Sequence, residues 1–121
     1  MRQIISSDGA IVDKEAIAGL GLTAEDLKKI YRLMIMTRLL DREGRKRAYL
    51  NHMTLFIGPF GQEAAEIASS YAMLPEEKVY VYGRSWGAAI GKGVSPKSIF
   101  DGFFGNPDLE GVPGGSPGTD H

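Results

Sequence analysis

The sequence predicts an α/β domain that is rich in helices and contains few strands. Apolar and small residues recur at helical spacing in four stretches, whereas one β-branched and aromatic run, VYVY at residues 79–82, has the composition of a strand. A length of 121 residues and a hydrophobic content of 43% suffice for one core. We divide the chain into an N-terminal arm, residues 1–22, which we expect to be irregular, and a domain, residues 23–121. We expect this domain to be incomplete, because its strand has no sheet partner.

The first helix is predicted to begin after Thr23. This threonine can cap the helix, and Asp26 stands three residues later as a short form of the capping box. Apolar residues then recur on two faces: Leu27, Ile30, Tyr31 and Met34 on one, and Leu33, Met36 and Leu40 on the other. A helix with two apolar faces is expected to be buried on two sides. The charged stretch DREGRKR, residues 41–47, is interpreted as the exposed end of this helix.

The second helix is predicted to follow a glycine and proline turn at residues 58–61. It begins at Gln62 and has Glu63 in its first turn, where a carboxylate interacts favourably with the helix dipole. One face carries a stripe of small residues, Ala64, Ala68 and Ala72. Such a stripe predicts close packing against another backbone.

Two shorter helices follow the predicted strand. Residues 85–91 predict a helix rich in small residues, with glycine at every fourth position from Gly83 to Gly91. Ser95 and Pro96 are a cap and a first helical residue for a helix over SPKSIFDGFFG, residues 95–105. The remaining residues, 106–121, are rich in glycine and proline and predict an irregular loop.

Composition excludes several classes of protein. The net charge of −1 gives no indication of nucleic-acid or acidic-membrane binding. The absence of cysteine excludes a disulfide scaffold and a thiolate metal site. No apolar run approaches the ~20 residues of a membrane span, and residues 1–15 lack the apolar centre of a signal peptide. We therefore expect a cytoplasmic chain.

The candidate binding site is the step from the predicted strand to the helix at residues 85–91. Backbone N–H groups at a helix start attract anions, and Arg84 could add a bidentate contact to a phosphate. The stretch GAAIGKG, residues 87–93, is one residue short for a Walker loop and has Gly93 where Ser or Thr holds magnesium. It does not have the dinucleotide pattern either. A phosphate site at Gly83 and Arg84 and an exposed arginine at a helix start both remain open.

Other chemistry finds little support in the sequence. The two histidines, His52 and His121, are far apart, and with Asp120 they supply too few ligands for a metal site. Nothing marks a nucleophile with its base. His52 is interpreted as a surface or structural histidine, and Trp86 as a packing anchor. We therefore assign no catalytic and no metal-binding residue to this chain.

Several stretches together resemble the N-terminal part of one family, over roughly residues 25–121. They are IYRLM and TRLLDREG in the first helix, Gly61-Gln62-Glu63-Ala64, Arg84 after the strand, Gly87, and Gly93 followed by a helix to Gly105-Asn106. The family is the alpha subunit of the thiamine-diphosphate-dependent component of 2-oxo acid dehydrogenases, pyruvate or branched-chain. The resemblance implies the N-terminal portion of a thiamine-diphosphate-binding fold.

The resemblance also implies a role for the candidate site. In the family a Tyr-Arg pair at this step contacts the cofactor's diphosphate, so Arg84 is expected to bind it. Gly83 stands where the tyrosine usually does, and Tyr82 lies one position earlier. Magnesium is expected to be held outside this chain: SDGA at residues 7–10 and FDGF at residues 100–103 do not occupy the family's Gly-Asp-Gly position.

The implied function is oxidative decarboxylation of a 2-oxo acid, with transfer of the acyl group to a lipoyl group. The implied cofactors are thiamine diphosphate and magnesium. The implied partners are a beta subunit in an α2β2-like assembly, which supplies the activating glutamate, and the lipoyl acyltransferase component. Two alternatives remain: an acetoin dehydrogenase alpha subunit, and a truncated, non-catalytic phosphate-binding or packing module.

Overall fold

The computed structural model describes residues 3–53 and 55–104, and within these ranges the chain forms five helices. They are α1 (Lys14–Gly19), α2 (Ala24–Tyr49), α3 (Glu63–Tyr71), α4 (Trp86–Gly91) and α5 (Pro96–Phe104). The long helix α2 packs against α3 and α4, which also pack against each other. The four helices predicted from the sequence are therefore confirmed, and α1 is an addition to them.

The N-terminal arm is more regular than the sequence predicts. Its helix α1 is capped by Asp13, whose side chain accepts a hydrogen bond from the Ala16 N–H at 2.9 Å. An isolated antiparallel bridge joins Ile5 and Ile11. The expectation of a wholly irregular arm was wrong, because an aspartate cap is enough to start a short helix here.

Helix α2 begins as predicted and ends later than predicted. Its capping box is complete: the Asp26 N–H donates to Thr23 Oγ1 at 3.1 Å, and the Thr23 N–H donates to Asp26 Oδ2 at 2.9 Å. The helix continues to Tyr49 and is followed by Asn51 in the left-handed conformation, with φ of 56°. An asparagine with positive φ commonly terminates a helix.

The charged stretch at residues 41–47 is not simply an exposed end. Asp41 is fully buried, and Gly44 is buried against the ring of Phe56. The prediction was wrong for these two residues because they lie on the side of α2 that faces the segment before α3. Sequence composition cannot reveal that facing segment.

Helices α3 and α4 approach closely through glycines of α4. A β-carbon on Gly91 would overlap the Ser70 side chain, and one on Gly87 would overlap the Glu66 carboxylate. The glycines of α4 therefore allow α3 to pack closely against it. The alanine stripe of α3 takes no part in this packing: Ala64, Ala68 and Ala72 are exposed, and the buried face of α3 is Glu63, Ile67 and Ser70.

The core lies between α3, α4 and α5. Its buried members are Ile67, Trp86, Ala89, Ile90 and Ile99. The Trp86 indole N–H donates to the Ile57 carbonyl at 2.9 Å, and Phe56 packs against Trp86 with ring centroids 6.0 Å apart. Trp86 is therefore a packing anchor, as predicted, and it ties α4 to the segment before α3.

The predicted strand at residues 79–82 pairs with no other segment among the described residues. The burial pattern of a strand is nevertheless present, since Val79 and Val81 are half-buried and Tyr80 and Tyr82 are exposed. A strand requires a neighbour that accepts and donates its backbone hydrogen bonds. The only bridge within the described ranges joins Ile5 and Ile11, so the α/β class stays a prediction.

The loop predicted at residues 106–121 lies outside the described residues. So do Gly105 and Asn106, which contribute to the family resemblance, and the pair Asp120 and His121.

Gly44→Ala should lower the free energy of unfolding by about 1–3 kcal/mol, because the added methyl group overlaps the Phe56 ring within a packed aromatic cluster. Gly102→Ala is the matched control, since nothing lies within 4 Å of a β-carbon on that residue of α5. The control should gain up to about 1 kcal/mol from helix propensity. Urea unfolding measures both variants, and equal stability of the two would show that Gly44 is not held against Phe56.

Candidate functional site

The candidate site is a tight turn at residues 82–85 that leads into α4. The Tyr82 carbonyl accepts hydrogen bonds from the Ser85 N–H at 3.1 Å and from Ser85 Oγ at 2.7 Å. Between them, Gly83 has φ of 55° and nothing lies within 4 Å of a β-carbon built on it. This left-handed backbone explains why a glycine suits the position, because other residues adopt it at a cost.

The turn presents Tyr82 and Arg84 to solvent. Tyr82 is 91% exposed, Arg84 is exposed, and Arg84 forms no salt bridge with any residue that the structure describes. A guanidinium without a carboxylate partner keeps its donors available for an anionic ligand. The structure thus brings Tyr82, Gly83 and Arg84 together on one exposed turn, and their contact with a cofactor stays a prediction.

The first backbone N–H groups of α4 face a carboxylate of the same chain. Glu66, on α3, lies beside Gly87, and its Oε2 is buried without a well-directed hydrogen bond. Burial raises the pKa of the Glu66 carboxyl above its ordinary value, and the negative charge of Glu63 raises it further. The Gly87 and Ala88 N–H groups and the positive charge of Arg84 act in the opposite direction and lower it. These N–H groups therefore lie close to an ionisable group of the same chain, and their binding of an anion stays a prediction.

Sequence reasoning missed Glu66. A glutamate in the middle of a predicted helix is usually exposed, and nothing near it in the sequence indicates burial. Its environment is created by α4, which comes close enough only because residue 87 is a glycine. The glycine at this position is the one signal that could have indicated a group pressed against α4.

A second polar atom without a partner lies near Glu66. Thr37, on α2, is fully buried, its Oγ1 makes no hydrogen bond among the described residues, and its methyl group lies beside Gly87. An unpaired buried polar group costs about 1–3 kcal/mol. Thr37 and Glu66 thus both place a buried oxygen without a hydrogen-bond partner close to the start of α4.

A salt bridge joins α2 and α3, the two helices against which α4 packs. Arg38 donates from Nε to Glu63 Oε1, and from Nη2 to Glu63 Oε2 at 2.9 Å. Glu63 Oε2 also accepts the Gly61 N–H at 3.1 Å. The hydrogen bonds from Arg38 hold the pKa of Glu63 at about 2, below its ordinary value of 4.5. This bidentate pair fixes the start of α3 against α2.

A second ion pair holds the turn before α3. Arg45 donates from Nε to the buried Asp41 at 2.6 Å, and Asp41 lies directly against Gly58. The Arg38 and Arg45 guanidiniums lie over the ring of Phe60, at 4.3 and 5.5 Å from its centroid. The residues of the family resemblance in α2, Arg38 and Asp41, thus both position the segment that begins at Gly58.

Within residues 3–53 and 55–104, no group of three or more His, Asp or Glu side chains could hold a metal ion. His52 is exposed, in agreement with its interpretation as a surface residue, and His121 lies outside the described ranges. None of the helices described is both long enough and apolar enough to cross a membrane.

Comparison with known proteins finds pyruvate dehydrogenase E1 component subunit alpha from staphylococci. The chain is 30% identical to the protein of Staphylococcus epidermidis strain RP62A and 29% identical to that of Staphylococcus aureus strain Mu50, over 121 residues in each case. Each match covers 97% of this chain and 32% of the relative, so the chain spans about a third of the length of these relatives. No family model matches the chain. No solved structure matches it.

Glu63→Gln should reduce stability at neutral pH and make it less dependent on pH. A carboxyl whose pKa falls from 4.5 unfolded to about 2 folded stabilises the fold above pH 4.5 and loses that contribution as the pH falls toward 2. The contribution is at most about 3 kcal/mol. The difference in unfolding free energy between wild type and Glu63→Gln should therefore narrow between about pH 7 and about pH 3.

Urea titration at the two pH values measures this difference, and Glu76→Gln, at an exposed position in the loop after α3, is the control. The control should leave stability unchanged to within about 0.5 kcal/mol at both pH values. A Glu63→Gln difference that is the same at both pH values would exclude the Arg38 pair as the cause.

Proposed function

We propose that this chain is a segment of the alpha subunit of a thiamine-diphosphate-dependent 2-oxo acid dehydrogenase. The observation that carries the proposal is the similarity to pyruvate dehydrogenase E1 alpha subunits, which runs through 97% of the chain at 29–30% identity. The activity proposed for the whole protein is oxidative decarboxylation of pyruvate or a branched-chain 2-oxo acid, with transfer of the acyl group to a lipoyl group.

The proposed fold is the N-terminal portion of a thiamine-diphosphate-binding α/β domain. The alternation of half-buried valines and exposed tyrosines at residues 79–82 supports it, because this is the burial pattern of a strand with one face on a core. In the proposed full assembly this segment pairs with strands contributed by the rest of the protein. The described part of the chain supplies the helices that cover one side of it.

The residues proposed to bind the cofactor are Arg84, Gly83 and Tyr82. The fit to a diphosphate is partial: Arg84 offers an exposed guanidinium without a salt bridge, whereas the N–H groups of α4 face Glu66. Arg84 would therefore hold the diphosphate through its side chain, and Gly83 would let Tyr82 and Arg84 point outward from one turn. When bound, thiamine diphosphate supplies the electron sink for cleavage of the bond to the carboxylate.

The remaining parts of the proposed enzyme come from other polypeptide segments. Magnesium would be held outside the described residues, which contain no cluster of three metal-ligating side chains. The proposed partners are a beta subunit and a lipoyl acyltransferase component. This chain contributes one cation to the cofactor site and the helical support of α2, α3 and α4 beneath it.

The 121-residue chain alone should bind thiamine diphosphate with a Kd weaker than about 100 μM, because one arginine makes only part of the contacts that a diphosphate needs. Isothermal titration calorimetry with thiamine diphosphate and magnesium measures this affinity. A micromolar Kd for the isolated chain would contradict the proposal that most of the cofactor site lies elsewhere.

In the reconstituted alpha–beta enzyme, Arg84→Ala should weaken cofactor affinity about ten- to a hundredfold, since charge-assisted hydrogen bonds contribute about 1.5–3 kcal/mol. Arg84→Lys should restore part of it, because an ammonium cannot reproduce the bidentate geometry. Lys78→Ala is the control for loss of an exposed cation on the same loop. Equal affinity of Arg84→Ala and wild type would remove Arg84 from the cofactor site.

A further inference from the structure

Helix α2 exposes an apolar row that none of the described residues covers. Leu27, Tyr31, Ile35 and Leu39 follow one another at intervals of four residues, and each is at least 42% exposed. Beside this row lies a groove of about 420 Å³ lined by Arg32, Ile35, Met36, Leu39, Leu40 and Glu43, which we name the α2 groove. Contiguous exposed apolar surface of this kind marks an interaction site.

The charges around this surface are unbalanced. Helix α2 carries eight Lys and Arg residues against four Asp and Glu residues. All four carboxylates are already engaged: Glu25 with Lys28, Asp26 with Thr23 and Tyr71, Asp41 with Arg45, and Glu43 with Arg47. Helix α2 therefore has few free carboxylates that could bind a basic partner.

Four cations of α2 form no salt bridge with a described residue: Lys29, which lies over the Tyr71 ring, and Arg32, Arg42 and Lys46. Arg32 lines the α2 groove, and Arg42 lines a second depression of about 360 Å³ with Phe60. The uncommitted charges next to the apolar row are thus all positive. Charge complementarity requires a negatively charged occupant.

We infer that the α2 groove and the apolar row beside it bind an acidic amphipathic helix of another polypeptide. Its apolar side chains lie along Leu27 to Leu39, and its carboxylates pair with Arg32, Arg42 and Lys46. This is the helix-in-groove mode of recognition, in which apolar anchors recur every three or four residues. The inference does not depend on the proposed function, because it uses no residue of the cofactor site.

Two other occupants agree less well with the surface. A second copy of α2 would bring the same unpaired cations together, which is unfavourable. A membrane of anionic lipids would meet the Glu43 carboxylate at the edge of the groove, beside Leu39. An acidic helix of another protein can pair its carboxylates with the cations and keep them away from Glu43, since the side chains of a helix have defined positions.

The test uses the 121-residue chain and a designed helical peptide of about 20 residues, a length that can form an isolated helix. The peptide has leucines three and four residues apart on one face and glutamates beside them. A matched peptide has lysines in place of the glutamates. Fluorescence anisotropy should show the acidic peptide binding at least about tenfold more tightly. Equal binding, or no binding of the acidic peptide at about 100 μM, would overturn the inference.

Variants of the chain locate the contact. Arg42→Glu and Leu39→Ser should each weaken binding of the acidic peptide about tenfold or more, since both side chains are exposed and neither supports the core. Lys14→Glu, the same change of charge on α1, should stay within about twofold of wild type. Circular dichroism verifies that every variant keeps its helix content, so that a loss of binding reports on the surface.

The competing occupants give different results. Sedimentation that shows a dimer of the wild type and a monomer of Leu39→Ser would assign the face to a second copy and overturn the inference. Binding to phosphatidylserine vesicles that Arg42→Glu abolishes, without binding of the acidic peptide, would assign it to a lipid surface and overturn it as well.

Discussion

The bidentate pair between Arg38 and Glu63 determines how the rest of the described structure is arranged. It joins the middle of α2 to the first residue of α3, and through the Gly61 N–H it also fixes the turn between them. Ile67 and Ser70, on α3, then lie where α4 packs against them through Gly91. The turn that carries Arg84 leads directly into α4. The position of Arg84 therefore depends on the salt bridge between Arg38 and Glu63, which holds α3 in place.

The features that could be predicted from the sequence are those decided by neighbouring residues. A capping box needs only Thr23 and Asp26, and helix α5 (Pro96–Phe104) needs only a serine cap and a proline after it. Trp86 was assigned correctly because a lone tryptophan in an apolar helix rarely stays outside the core. Such caps are formed by residues that are close in sequence, so they can be recognised without knowing which segments pack against the helix.

The features that could not be predicted depend on segments distant in sequence. Asp41 is buried because Gly58 and Arg45 contact it, and the Oε2 atom of Glu66 is buried because α4 carries a glycine where the two helices touch. The alanines of α3 were assigned to packing, yet the buried face of α3 lies elsewhere on the helix. Helical spacing shows that a face exists, and only tertiary contacts decide which face is covered.

The left-handed backbone at Gly83 links two neighbouring positions of the turn. The resembling family has a tyrosine at this position, and here the aromatic side chain stands one residue earlier, at Tyr82, while Gly83 has φ of 55°. A side chain at position 83 would carry a backbone penalty of about 1–2 kcal/mol. A tyrosine placed at position 83 alone would therefore strain the turn, whereas the aromatic side chain at Tyr82 reaches solvent from ordinary backbone.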